Sequence, residues 1–279
     1  NFIKERITET LGDLYGMHWP FKQHKTSRNI KVLPYHQNLK ELGACFGVSG
    51  GYERPMWFAL DGAQAEYDYS YNFQNWYPAA KFETKNTTEN VGLFDLTPFS
   101  KFELKAKNAH QALQKICTAD IKNEIGKCTY THMLNKDGGI ETDLTVVCLE
   151  KDYFRIVSSA ATRERDKFHI KKYLSDDIEL KDVTDEYCVL GLFGPKSRDL
   201  MSNISNADFS NEKFKFGTAK NIKIDDIDIW IQRLSYVGEI GFELYVKTND
   251  ANKIYELLLK KGKNYNISNC GMHSLDIMR

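Results

Sequence analysis

Between Tyr130 and Ser159, short runs of alternating apolar and polar side chains are separated by Asp137-Gly138-Gly139 and by Glu150-Lys151-Asp152. Such spacing, with glycines that tolerate a tight turn, predicts a three-stranded meander. In the middle run Ile140, Thr142, Leu144, Val146 and Cys148 share one face, and Glu141, Asp143, Thr145, Val147 and Leu149 share the other. Asp143 therefore stands at the border of a face that turns apolar. A carboxylate there is either a strand-end group kept in water or one held for a purpose, because a desolvated, unpaired charge costs roughly several kcal/mol.

Around the meander the same periodicities place further elements. Val91 to Asp95 reads as the approach to a strand and Phe99 to Leu104 as a strand. Asn108 caps a helix through Cys117, with Ala109, Leu113 and Ile116 on its buried stripe. Thr162 opens a second helix, with Glu164 in its first turn, Lys171-Lys172 in its last, and Phe168 and Tyr173 as the expected buried face. Tyr187 to Phe193 is a continuous apolar run, the signature of a central strand covered on both faces. Gly194-Pro195 then ends that strand and opens a helix. Ile227, Ile229 and Ile231 alternate with polar residues, SYVGEIG turns, and FELYV returns; Asp250 caps a last amphipathic helix that Gly262 closes. Mixed hairpins and packed helices predict an α+β fold with largely antiparallel sheets.

Residues 1–80 differ. Aromatic and His residues crowd this stretch, and Pro20, Pro34, Pro55 and Pro78 cut it into short pieces, with short helices expected at Arg6 to Leu14 and Leu39 to Phe46. It reads as an irregular segment lying against a larger body. His18, His24 and His36 match no compact ligand pattern, so no metal site is expected.

Composition narrows the function classes. Lys+Arg and Asp+Glu are both 38, so no basic excess points to nucleic acid. No apolar run approaches the roughly 20 residues of a membrane span, and the first residues lack a signal-peptide core. Six scattered cysteines, with no CxxC pair, suit a reducing compartment. The Lys-, Asn- and Ile-rich composition suggests a bacterial cytoplasm, or a mitochondrial matrix for a eukaryotic source. No GxGxxG or GxxxxGK[ST] motif is present, so no dinucleotide or nucleoside triphosphate is held in the familiar ways. The start at Asn1 and the stop at Arg279, inside a running helical pattern, read as the ends of a piece of a longer polypeptide.

The stretch Ser235-Tyr236-Val237-Gly238-Glu239-Ile240-Gly241-Phe242-Glu243 carries candidate chemistry. Tyr236 before the turn and Glu243 after it can face each other. A carboxylate accepts paired N–H bonds from an amidine-like edge and a Tyr stacks on the same ring, an arrangement suited to a flat nitrogen heterocycle. An ordinary hairpin with incidental polar residues remains open from this motif alone.

The blocks GLFDLTPFSKFEL (92–104), GGIETDLTV (138–146), LGLFGPKS (190–197), SYVGEIGFELYV (235–246) and GMHSLDIMR (271–279), in this order, resemble the folate-binding aminomethyltransferase family typified by the glycine cleavage T-protein. They are most similar to the C-terminal region of FAD-dependent dimethylglycine and sarcosine dehydrogenases, and LYGMHWPFKQHKTSRN with GYERPMWFA is similar to the linker of those flavoenzymes. The resemblance implies a linker at 1–80 and a T-protein-like folate-binding domain at 81–279 that lacks its C-terminal portion. It implies tetrahydrofolate as cofactor, FAD in a portion outside this chain, a methylamine such as dimethylglycine or sarcosine as substrate, and room for a homo-oligomer. Asp143 matches the family's acidic residue beside the reacting folate nitrogens, the expected catalytic group; Tyr236 and Glu243 match its pterin-binding Tyr and Glu. Leu275 stands where T-proteins commonly carry a folate-contacting Arg. The activity implied is transfer of an oxidised N-methyl carbon to tetrahydrofolate. A stand-alone aminomethyltransferase and a non-catalytic module are the other readings.

Overall fold

The computed structural model describes residues 1–279. The meander forms as expected from Cys128–Leu134, Ile140–Glu150 and Tyr153–Ser158, and Ser100–Lys105 and Leu180–Asp182 extend it to a five-stranded antiparallel sheet. Thr142, Leu144, Val146 and Cys148 are buried, whereas Asp143 is exposed on the opposite face. Leu144 and Val146 pack with Phe102, Phe154 and Ile156 against Ala109 and Leu113 of the helix Ala109–Ile116. Each such large apolar side chain contributes about 1.5–3 kcal/mol by leaving water.

The helix Arg163–Tyr173 covers the same sheet with a face other than the expected one. Phe168 and Tyr173 are 73% and 42% exposed, and Asp166 and Ile170 are buried instead. Polar contacts decide the rotation: the Asp166 carboxylate accepts from Thr142 Oγ1 at 3.2 Å and Thr162 Oγ1 at 2.7 Å, which turns Ile170, one turn on, into the core.

A second, six-stranded sheet has the order Ala219–Ile224, Ile227–Gln232, Gly241–Lys247, Tyr187–Phe193, Val91–Asp95, Ile267–Cys270. All its pairs are antiparallel except the last, Val91–Asp95 with Ile267–Cys270. Tyr187–Phe193 is interior, and from Cys188 onward every residue is buried, as its unbroken apolar run predicts.

The first eighty residues hold a helix Phe2–Asp13 with no buried residue, a short helix His36–Glu41, and a two-stranded antiparallel sheet of Ala44–Ser49 and Tyr52–Phe58. The helix expected from Leu39 to Phe46 ends early. Gly43, at φ +82°, reverses the chain, and Ala44 starts a strand that pairs with Phe58. Glu53 ties this segment together, accepting from Arg28 Nε at 2.8 Å, Arg28 Nη2 at 2.5 Å and the Asn29 amide at 2.7 Å.

The terminal helix Met272–Met278 crosses the strand Tyr52–Phe58. Gly271 is required at that crossing, because a Cβ there would collide with the backbone of Met56 and Trp57. Glu83, on the helix Tyr77–Glu89, locks the junction. Its carboxylate accepts from the Phe58 amide at 2.8 Å, the Gly271 amide at 2.8 Å and Ser274 Oγ at 2.6 Å.

Candidate functional site

The five-stranded sheet, the two-stranded sheet, the loop after Gln232 and the terminal helix line a cavity of about 270 Å³. Asp143, Leu144, Val157 and Ser158 reach it from the five-stranded sheet, Arg54 from the small sheet, Tyr236 from the loop after Gln232, and Leu275, Asp276 and Arg279 from the chain's last turns. Tyr236 and Phe99 also line a narrower void with Thr145, Glu243 and Tyr245. The three residues singled out in the sequence are thus assembled around Tyr236, with Asp143 on the cavity side and Glu243 on the side of the void.

Strand alternation places the neighbours of Asp143. Tyr130 pairs with Thr145 and His132 with Asp143, so their side chains share one face. Tyr130 Oη donates to Asp143 Oδ2 at 3.1 Å, a diagonal contact that leaves the other carboxylate oxygen free to meet a ligand. Burial and the Asp143 charge both raise the Tyr130 phenol above its ordinary pKa, so it stays a donor.

Glu243 is 5% exposed and accepts one hydrogen bond, from Tyr245 Oη at 3.0 Å. Burial pushes its carboxyl up to about 7, with the Tyr245 bond opposing the shift. Gln232 lies directly across the strand pair from Glu243, fully buried, and neither its amide nitrogen nor its amide oxygen has a partner. A carboxylate with one donor beside an amide with none is costly in a closed core, since buried polar groups are normally satisfied. Such a pair suits a ligand that brings its own donors and acceptors. Tyr236 stacks near Phe99, with ring centroids 6.1 Å apart. Burial first, then the charges of Glu243 and Asp143, push its phenol up to about 12.

Several groups in this region were not singled out by motif reading: Arg54, Ser158, Gln232, Asp276 and Arg279. Arg54 is 6% exposed, and burial lowers its pKa against the pull of Asp95 and Asp276. Burial raises the Asp276 carboxyl, opposed by Arg54 and Arg279. A signal for Arg54 was present in the sequence: beyond Glu53 and Arg54 the stretch GYERPMWFA carries no charge, and a cation in so apolar a strand needs a reason. Leu275, in the place of an expected Arg, is 4% exposed and packs in the wall of the cavity, and Arg279 one turn later faces the same space.

Known proteins agree with this architecture. Residues 35–279 match the sequence profile of the GCVT N-terminal domain. The 4-methylaminobutanoate oxidase (formaldehyde-forming) of Paenarthrobacter nicotinovorans is 39% identical over 280 residues, covering 100% of this chain and 34% of the oxidase. Mitochondrial dimethylglycine dehydrogenase of Rattus norvegicus is 32% identical over 281 residues, covering 100% of this chain and 33% of that protein. The chain thus spans about a third of the length of these relatives. The glycine cleavage system aminomethyltransferase T of Bartonella henselae superposes with a TM-score of 0.73 at 23% identity, over 89% of this chain and 62% of that one, which shows a shared fold. A domain of aminomethyltransferase architecture, related in sequence to dimethylglycine dehydrogenase and carrying a carboxylate-lined cavity between its sheets, places this chain in the GCVT N-terminal domain family.

Proposed function

We propose that this chain is the folate-binding, one-carbon-transfer region of an FAD-dependent dehydrogenase of the dimethylglycine and sarcosine type. In this reading the carbon of an oxidised N-methyl group passes to tetrahydrofolate, giving 5,10-methylenetetrahydrofolate. The observation that carries it is buried Glu243, with a single donor and an unpartnered Gln232 amide across the strand pair, in the void lined by Tyr236, which also lines the Asp143 cavity.

The residues fit a reduced pterin. Glu243, in its charged form, accepts paired N–H bonds from the heterocycle's amino and ring nitrogens, and Gln232 supplies a donor and an acceptor beside it. The void at Glu243 is about 10 Å³, room for little more than a water molecule, so holding a bicyclic ring there would require its aromatic wall of Phe99 and Tyr236 to move.

Tetrahydrofolate, when bound, supplies two nucleophilic nitrogens to an electrophilic carbon at the oxidation level of formaldehyde. There the carbon's double bond to the amine nitrogen would be replaced by two bonds to the folate nitrogens, the π and then the σ electron pair going to the amine nitrogen while two N–H protons are released. Asp143 takes the first of these protons and passes it to the departing amine; the second leaves to water. Positioned base catalysis of this kind contributes about 10²- to 10⁴-fold, and holding both partners in one cavity adds proximity. The oxidation itself belongs to a flavin site outside these residues.

Asp143→Asn is expected to lower methylene transfer by about 100-fold or more, with tetrahydrofolate affinity within a few-fold of wild type by calorimetric titration of the full-length protein. Unchanged transfer would remove Asp143 from the mechanism. The name of the Paenarthrobacter nicotinovorans relative supports a second reading, in which the carbon leaves as free formaldehyde. Assaying formaldehyde against methylenetetrahydrofolate per amine oxidised, with tetrahydrofolate present, separates the two.

A further inference from the structure

Arg54 is left without a task by the reading above. Its strand neighbour Glu53 points the other way and is held by Arg28 and Asn29. Arg54 itself is 6% exposed, has the Phe99 ring 5.5 Å from its guanidinium carbon, and feels Asp95 and Asp276 only as charges at a distance. Asp95 accepts from Tyr35 Oη at 2.9 Å and the Thr97 amide at 3.1 Å, both through Oδ1; its Oδ2 is unpartnered, yet no hydrogen bond or ion pair joins it to Arg54. A guanidinium presents five N–H donors in a planar fork, and a buried one is normally paired with a carboxylate or carbonyl. The space open to it is the cavity that Asp143 shares. Ser158, 3% exposed and in the same cavity wall, also carries a hydroxyl with no partner.

We propose that Arg54 binds a carboxylate of a ligand occupying this cavity, through the two parallel N–H bonds its fork makes with a planar oxyanion, with the Ser158 hydroxyl as a further donor. This rests on the tetrahydrofolate reading. The carboxylate has two candidate sources: the glutamate tail of the folate, or the amino-acid half of the one-carbon donor. Both 4-methylaminobutanoate and dimethylglycine, in the names of the relatives, are N-methyl amino acids. Held by its carboxylate, such a donor would present its N-methyl carbon from the Arg54 side of the cavity.

The test uses the full-length protein as wild type, Arg54→Met and Arg54→Lys. Tetrahydrofolate and 6-methyltetrahydropterin, which lacks the aminobenzoylglutamate, are titrated calorimetrically. If Arg54 holds the folate tail, Arg54→Met weakens tetrahydrofolate about 10- to 100-fold and leaves the pterin unchanged. If it holds the donor, both titrations are unchanged. The fraction of carbon from N-methylglycine captured as methylenetetrahydrofolate then falls several-fold, formaldehyde rises to match, and the rate of flavin reduction stays constant. Arg54→Lys keeps the charge facing Asp95 and Asp276 but loses the fork, and is expected to fall between the two. Should Arg54→Met fail to fold, a loss in Arg54→Lys at an unchanged melting temperature supports the proposal. Wild-type titrations and carbon capture in the folded variants overturn it. Tetrahydrofolate binding that survives Glu243→Ala would instead overturn the placement of the pterin, and no binding by the wild type would overturn the folate reading itself.

Discussion

Glu83 lies on the helix Tyr77–Glu89 and Glu243 on the strand Gly241–Lys247; they are 1% and 5% exposed, and burial pushes both carboxyls up to about 7. Around Glu83 two backbone amides and a hydroxyl converge, joining a helix, a strand and the start of the terminal helix. Around Glu243 there is one phenol, with an unpartnered amide across the strand pair. A raised pKa therefore does not by itself identify a functional acid. The informative quantity is how many donors the fold has already committed to it, because a saturated carboxylate is a structural latch and an unsaturated one has capacity for a ligand.

Replacing each acid separates these roles. Glu83→Ala leaves two buried amides and a hydroxyl without an acceptor and is expected to cost about 4 kcal/mol of stability, read from urea unfolding. Measured against Glu83→Ala at pH 5, where the Glu243 carboxyl is protonated, Glu243→Ala should change stability by about 1 kcal/mol or less.

Titration sharpens the contrast. Both acids have folded pKa values near 7 against an ordinary 4.5. Each binds more protons folded than unfolded between those values, so the stability it contributes is fully present below about pH 4.5 and lost as pH rises through about 7. A shift of this size corresponds to about 3 kcal/mol. Glu243→Gln should flatten that decline by about this amount in unfolding experiments run across the window; an unaltered pH dependence would show that Glu243 is not held as described.

Ligand binding gives the next largest effect. Glu243→Ala is expected to weaken tetrahydrofolate by about 100-fold, equivalent to about 2.7 kcal/mol. Because the carboxylate form accepts the N–H bonds, wild-type affinity should fall by up to tenfold per pH unit below about 7. Equal affinity in wild type and variant would make Glu243 a second Glu83. Tyr245→Phe, which removes the one donor Glu243 has, should have the smallest effect: about 1 kcal/mol of stability and a further upward shift of the carboxyl, visible as displacement of the binding pH profile.

Period-2 alternation placed Asp143 on the correct face of its strand, and the unbroken run from Cys188 to Phe193 marked a central strand, because both patterns follow from strand geometry alone. Helix rotation was less legible. Phe168 and Tyr173 look like a buried face, yet the hydrogen bonds of Asp166 with Thr142 and Thr162 turn the helix the other way. The strand at Ala44–Ser49 was hidden by an apolar stretch whose character depends on Gly43 and on a pairing partner across the turn.

By itself, then, the sequence determined the local periods, the turn chemistry and the motif that holds Tyr236 and Glu243 seven residues apart. Which polar groups remain unsatisfied was decided only by the tertiary structure. Glu83 meets its donors from Phe58, Gly271 and Ser274, and Arg54 faces Asp143 space across a cavity walled by the last turn of the chain. Desolvation and hydrogen-bond saturation are properties of an enclosed volume, and that volume exists only once segments far apart in the chain have packed around it.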